Sequence, residues 1–407
     1  MSMVHNTIIW YNEIMFFEET AVALCALGAE KIVSNELRKL GLSVIEGGFG
    51  RVAFKAGVPG LYRSLMGLRC ADRVLLETKR FQALDFDALF EGTKSVPWED
   101  YISPNMGVRV AKVRTNRSKL EAETSIQAVV HKAAAERLCQ KRKINRLPPY
   151  SSEAELRVYI EKDQVSLLLD LSGEPLFKRG YRTAGGTAPL RETTAAAIIL
   201  GSLWKRKFPL YDPFCGCGTI AIEAALYAWN IAPGLGRHFA LEELLIGSKK
   251  TEEEVRDELL SKVDFSNLVR IKASDADETS VRAAQANMER AIALAHRGTG
   301  DVFNGISRPS FVVLPMEKAS PKMAGSKKME EGFIITNPPY GRRLGDAESA
   351  EKTYKEMGLL AKNFSGWKLA LITDQSGFES FFGRKADLCK EITNGAVRSY
   401  LFQYEKL

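Results

Sequence analysis

The chain has 407 residues, 45% hydrophobic and 26% charged, with a formal net charge of +7. That is the composition of a globular protein long enough for two or three domains, and its mild cationic excess is compatible with a polyanionic partner without establishing one. No uninterrupted apolar run reaches about 18 residues, so no membrane-spanning helix is expected, and six scattered cysteines form no disulfide framework, which points to reduced thiols in a cytoplasm.

The first 16 residues lack a basic n-region and a small-residue cleavage site, so no signal peptide is expected, and Met15 is a candidate start. Residues 17–70 read as a small α+β unit. Phe17–Leu24 is strand-like, and Ile32, Val33, Leu37 and Leu40 have helical spacing within Ala29–Leu40. Val44-Ile45 and Arg51–Phe54 flank Gly47-Gly48, a hairpin signal. Residues 71–172 form a second segment, with strands at Arg73–Glu77, Val108–Val113, Glu155–Ile160 and Val165–Asp170. Helices are expected at Phe86–Lys94 and Ser125–Arg137, the latter capped near Thr124-Ser125. Two basic clusters lie here, one with Arg109, Lys112, Arg114, Arg117 and Lys119, the other with Lys141, Arg142, Lys143 and Arg146. A charge run is commonly a solvated face. Two of them in one small domain favour phosphate contact, with Lys112, Arg114, Lys119, Lys141, Arg142 and Lys143 as the candidates.

Val96-Pro97-Trp98, Ser118-Lys119-Leu120 and the run from Asp170 to Arg182 (DLSGEPLFKRGYR) resemble the THUMP-domain RNA methyltransferases, specifically the bacterial guanine-N2 enzymes of large-subunit ribosomal RNA. The resemblance covers nearly everything from about residue 17 onward. It implies an RNA-binding half built from a ferredoxin-like unit and THUMP, followed by an S-adenosyl-L-methionine (SAM) dependent half. Ala184–Thr187 is a short flexible joint. Ala188-Pro189-Leu190-Arg191-Glu192-Thr193 matches the family's entry to a helix, and the resemblance places Pro189 and Glu192 in the cofactor-pocket wall. A plain Pro-initiated helix start is a compatible reading.

Phe208–Glu223 (FPLYDPFCGCGTIAIE) reads as strand, tight turn and helix. Its glycines permit close backbone approach, and the free N–H groups and dipole of a new helix suit a small ligand carrying a carboxylate or phosphate. Nucleotide, flavin and SAM sites all use such a turn, and a Walker loop is excluded because no Gly-Lys-Ser/Thr closes it. The wording Asp212-Pro213-Phe214-Cys215-Gly216-Cys217-Gly218-Thr219 resembles the SAM-binding loop of amino-methyltransferases. Asp275, with Ala276 beside it, ends a second strand, and a carboxylate at such an edge accepts hydrogen bonds from ribose hydroxyls. Asp275 fits the family's ribose-binding position, and Asp277 reads as a helix cap. A third strand ends in Pro315-Met316-Glu317, where many methyltransferases carry an Asp for the adenine amine. Here Met316 is the candidate for the adenine face and Glu317 for its amine or for a solvated turn.

The fourth strand, Phe333–Thr336, runs into Asn337-Pro338-Pro339-Tyr340-Gly341, the most specific signal in the chain. An exocyclic amine is a poor nucleophile because its lone pair is delocalised into the ring. The Asn337 carboxamide oxygen and the Pro338 carbonyl can accept its N–H bonds, Pro338 and Pro339 stiffen the turn, and Tyr340 offers a face for a base taken out of its stack. Arg343 is a candidate phosphate contact or loop organiser. A fifth strand at Trp367–Thr373 and a hairpin around Asn394-Gly395 close the chain. Cys215 and Cys217 have poor zinc spacing, and the four histidines form no visible cluster, so no metal is expected.

The expected fold is α/β: a C-terminal class I (Rossmann-like) methyltransferase, residues 173–407, behind an N-terminal α+β half made of a ferredoxin-like unit, 17–70, and THUMP, 71–172. The expected function is SAM-dependent methylation of an exocyclic amine in RNA, with guanine N2 of large-subunit (23S) rRNA implied by the resemblance. A transfer-RNA guanine-N2 methyltransferase and a non-catalytic RNA-binding ribosome-assembly factor are the alternatives. Intact Asn337 and Gly218 count against the last.

Overall fold

The structure, a computed structural model, describes residues 19–182, 190–266, 270–295, 307–322, 331–340, 346–395 and 397–407. The predicted joint 184–187, together with Pro189, Gly341 and Arg343, lies outside them.

Period-2 burial builds the first sheet. The N-terminal elements are β1 (Glu19–Cys25), α1 (Glu30–Lys39), β2 (Ser43–Gly48), β3 (Arg51–Ala56), α2 (Val58–Gly67) and β4 (Ala71–Gln82). They continue as α3 (Phe86–Lys94), β5 (Gly107–Asn116), α4 (Glu123–Arg142), β6 (Glu153–Glu161) and β7 (Gln164–Asp170). All seven strands join one sheet in the order β2-β3-β1-β4-β7-β6-β5, in which the β5–β6 pair is parallel and the other pairs antiparallel. β4 pairs with β1 on one side and β7 on the other, so the two N-terminal units expected from the sequence share a continuous sheet. Ala21, Val52, Val74 and Leu169 point into the helix-covered core, while their neighbours Val22, Ala53, Leu75 and Leu168 point to the opposite face.

Two local expectations are corrected, and one helix is new. The β2–β3 turn is Phe49-Gly50, both with positive φ (53° and 74°), and Gly47-Gly48 belong to β2. A two-residue hairpin turn of this hand needs both central residues left-handed, and the register Gly48↔Arg51 places the turn there. α4 starts at Glu123 behind Ala122, which provides no side-chain cap, so Thr124-Ser125 lie inside the helix. α2, with Pro59 in its first turn, was not expected, although Val58, Leu61, Tyr62, Leu65 and Met66 keep the spacing of one apolar helix face.

The C-terminal half comprises α5 (Glu192–Gly201), β8 (Leu210–Asp212), α6 (Thr219–Ala228), α7 (Lys249–Leu260), β9 (Ile271–Asp275), α8 (Glu278–Ala295), β10 (Ser310–Val313) and β11 (Phe333–Thr336). It ends with α9 (Asp346–Glu356), α10 (Gly358–Asn363), β12 (Lys368–Thr373), α11 (Phe378–Phe382), β13 (Leu388–Asn394) and β14 (Val397–Tyr404). The sheet order is β10-β9-β8-β11-β12-β14-β13, parallel from β10 to β12, with β14 antiparallel to both of its neighbours. This is the class I methyltransferase arrangement. It brings the carboxyl ends of β8, β9 and β11 to one edge, where open α/β sheets bind ligands.

The two halves pack as one body. A single hydrophobic cluster includes Val33 and Leu65 from the first half and Ile198 and Trp229 from the second. Main-chain bonds cross the junction: Gly234 N–H to the Met66 carbonyl (2.8 Å), Leu245 N–H to that of Tyr101 (2.9 Å) and Thr393 N–H to that of Leu27 (3.1 Å).

Candidate active site

Asp212 ends β8 and is buried. Its Oδ1 accepts a hydrogen bond from the Phe214 N–H (3.1 Å) and another from the Thr336 hydroxyl (2.6 Å), which ties the glycine loop to the end of β11. Burial pushes this carboxyl up to about 7, against the pull of those two bonds, and the Asp275 charge adds to the rise. Asp275 in turn accepts the Gly216 N–H at 2.9 Å on Oδ2 and the Asp277 N–H at 3.0 Å on Oδ1. Asp277 receives the N–H groups of Thr279 (3.1 Å) and Ser280 (3.0 Å), the capping pattern predicted for α8. The loop is also held by Cys215 N–H on the Ser274 carbonyl (2.9 Å) and by the Asn287 amide on the Cys217 carbonyl (2.9 Å).

The two loop glycines serve different purposes. Gly218, at φ 86°, is where α6 begins, and a Cβ there would lie 2.9 Å from Ala284 Cβ and 3.0 Å from Phe311 Cε1. Its bareness lets α8 and β10 close on the loop. Gly216, at φ 48°, faces open space, with nothing within 4 Å of the Cβ it lacks. Burial, with the nearby Asp212 and Asp275 carboxylates, raises the Cys215 thiol, the reverse of what an attacking thiolate requires.

Asn337 follows β11 at the same edge. Its Oδ1 is buried and finds no hydrogen-bond partner among the described residues. Pro338 is buried, Pro339 exposed and Tyr340 half-buried. Two residues that sequence reasoning passed over anchor this turn. The Tyr354 hydroxyl on α9 donates to the Pro339 carbonyl at 2.7 Å and lies 2.9 Å from Thr373 Oγ1, while the Gln375 amide donates to the Tyr340 carbonyl at 3.3 Å. Met316 is buried beyond the end of β10, in a cluster with Tyr211 and Ile334, and Glu192 is buried at the start of α5, paired with Arg182.

The basic residues are not brought together. Lys112, Arg114 and Lys119 lie along β5 and just past its end, with Arg114 paired to Glu123 at 3.0 Å. Lys141, Arg142 and Lys143 sit where α4 ends, beside the start of β5 and roughly 20 Å from Lys112 along that strand. Arg142 is turned inward: its guanidinium donates to the carbonyls of Met106 and Ser103 and to the Tyr150 hydroxyl, each at 2.9 Å. Lys143 is the left-handed residue that ends α4.

A family model described as "RMKL-like, methyltransferase domain" matches residues 179–297 and 316–401, and one described as "RlmL ferredoxin-like domain" matches residues 20–75. The protein named "Putative RNA methyltransferase YpsC" of Bacillus subtilis (strain 168) is 35% identical over 389 residues, 95% of each chain. The chain belongs to the RMKL-like methyltransferase family. The "Ribosomal RNA large subunit methyltransferase K/L" of Cellvibrio japonicus (strain Ueda107) is 32% identical over 399 residues, which are 94% of this chain and 50% of that protein. The chain therefore spans about half the length of the K/L relatives. Among solved structures, SMU.472, titled "a putative methyltransferase complexed with SAH", is 34% identical with a TM-score of 0.83, covering 96% of this chain and 98% of that one. The cofactor of this RMKL-like methyltransferase is SAM, and the residues present fit it: a positive-φ glycine loop with open space beside Gly216 and a carboxylate at the neighbouring strand end.

Proposed function

We propose that the protein methylates guanine N2 in RNA, with large-subunit rRNA as the substrate. The single observation that carries the chemistry is the buried Asn337 Oδ1 without a described partner, beside a turn whose two prolines offer no N–H of their own. An unmet acceptor of this kind suits an amine N–H of a flipped base. Asn337 and the Pro338 carbonyl hold the amine, Pro339 keeps the turn rigid, and Tyr340 carries the ring. Asp212–Thr219 and Asp275-Ala276, with Met316, Glu192 and Pro189 around them, hold the cofactor, which supplies a methyl group activated on a sulfonium. Catalysis is then mostly positioning, and the amine proton leaves to solvent after transfer. Residues 17–172 grip the RNA while 173–407 do the chemistry. Lys112, Arg114, Lys119, Lys141, Lys143 and Arg343 meet phosphate, and Arg142 supports its neighbours from within.

The names of the relatives support RNA, and those of the K/L relatives support rRNA. The test incubates purified protein with methyl-labelled SAM and with ribosomal or transfer RNA from cells lacking the gene, then digests the RNA to nucleosides. N2-methylguanosine in large-subunit rRNA is expected. Label confined to transfer RNA would reassign the substrate, and N6-methyladenosine would reassign the base.

A further inference from the structure

The face of the first sheet opposite its helices carries features that the folded protein leaves unexplained. Val22, Ala53, Leu75 and Leu168 make a small apolar floor there, with Tyr159 of β6 packed against it. The strands turn Arg51, Arg73, Lys112, Arg114 and Arg157 toward a concavity of about 930 Å³ that meets this cluster at Leu24 and Tyr159, and which the C-terminal half closes with Phe177, Arg191 and the β13–β14 turn. Acidic partners occupy several of these cations: Asp170 holds Arg73 (2.6 Å) and Arg157 (3.1 Å), Asp72 holds Arg191 (3.0 Å) and Glu123 holds Arg114. Arg51 and Lys112 have no carboxylate partner among the described residues.

The second observation is Phe49, on the groove's rim. It occupies a left-handed turn position, φ 53°, where Asn or Gly is the unstrained choice, and it is 91% exposed. Neither turn geometry nor core packing accounts for a bulky aromatic there. Arg51, two residues on, lies over the Tyr159 ring, 6.0 Å from its centroid, so an aromatic ring and a cation without a carboxylate partner stand together on one wall. That pairing of stacking surfaces with phosphate-binding charge is how proteins hold unpaired nucleic acid, since every base has a π-face and an A-form duplex hides its own.

The groove also leads toward the chemistry. Thr373, the last residue of β12, pairs with Tyr400, so the turn at Asn394-Gly395 extends past the carboxyl edge where Asn337 sits. A Cβ on Gly395 would lie 3.1 Å from Arg191 Nη2, which places the turn against the start of α5.

We infer that this groove binds a single-stranded segment of the RNA substrate, Phe49 and Tyr159 stacking on bases and Arg51 and Lys112 meeting phosphates. The inference rests on RNA being the substrate. The test measures anisotropy of the full chain with a labelled single-stranded RNA 12-mer and with a duplex of equal length, across a salt series, alongside calorimetric titration with SAM. Phe49→Asn suits the left-handed turn better than Phe, so it should keep or raise the melting temperature while weakening single-strand binding by roughly 5- to 150-fold, the worth of one stacked base. Arg51→Gln and Lys112→Gln should each lower the salt slope by about 0.7, the single-strand value per phosphate contact, with SAM affinity unchanged in all three. Wild-type affinity in these variants, or duplex bound as tightly as single strand, overturns the groove and leaves it to a protein partner, while the RNA assignment stands. Wild type that binds SAM but neither RNA overturns both.

Discussion

At the catalytic edge Asn337 buries its Oδ1 and Asp212 its carboxyl, and each gives a prediction. A buried acceptor without a donor costs about 1–3 kcal/mol. Asn337→Ala should therefore leave the melting temperature unchanged or higher while methyl transfer falls about 100-fold or more. A clear drop in melting temperature with activity retained would make the carboxamide structural. Asp212 sits near 7 when folded, above the ordinary carboxyl range, so between about pH 4 and 7 the native state binds more protons than the unfolded one. Stability should fall as pH rises through that window, by at most about 1.4 kcal/mol per pH unit from this group. Melting curves at pH 4.5, 5.5, 6.5 and 7.5 should show the Asp212→Asn variant losing that component; an unchanged slope would place the titration elsewhere. Asp212 and Asn337 were legible in the sequence because their motifs are contiguous. Thr336, Asn287, Tyr354 and Gln375 were not, since ordinary residue types far apart in the chain become partners only when the sheet aligns its strand ends.

The glycine loop and the turn after β11 carry their own tests. Gly218→Ala meets both a left-handed φ and close neighbours on α8 and β10, so it should cost about 2–4 kcal/mol of stability. Gly216→Ala has open space around its side chain, so it should cost about 1–2 kcal/mol through φ alone. It should weaken SAM binding out of proportion to that loss. Urea unfolding and calorimetry on the pair separate the two roles; equal losses in stability would contradict the division. Tyr354→Phe removes the donor to the Pro339 carbonyl, so it should slow transfer several-fold at saturating SAM with little change in SAM affinity. At this scale the strands of the first sheet were readable from period-2 apolar runs, those of the parallel sheet from short continuous apolar runs, and α8 from its cap. The β2–β3 turn was misplaced because Gly47-Gly48 imitates a turn that Phe49-Gly50 makes, and a Phe at positive φ is something no local rule selects. α2 escaped although its apolar residues have helical spacing, since Pro59-Gly60 in its first turn reads locally as a loop.

Across the whole molecule, the shared core and the main-chain bonds between halves make the N-terminal sheet and the catalytic sheet one mechanical unit. Calorimetry should accordingly give one endotherm, and two separated endotherms would contradict that coupling. The class I half was legible as a whole because its motifs arrive in the order the strands require. The continuous seven-stranded N-terminal sheet was not, since the pairing of β4 with both β1 and β7 is long-range and leaves no mark on local periodicity.

The most direct test of the account is single-turnover methyl transfer to large-subunit rRNA by wild type and Asn337→Ala, each pre-saturated with SAM, with the product nucleoside identified. The account predicts N2-methylguanosine from wild type and a rate about 100-fold lower or less from the variant at comparable SAM occupancy. Equal rates, or a methyl group on ribose or ring carbon, would contradict it.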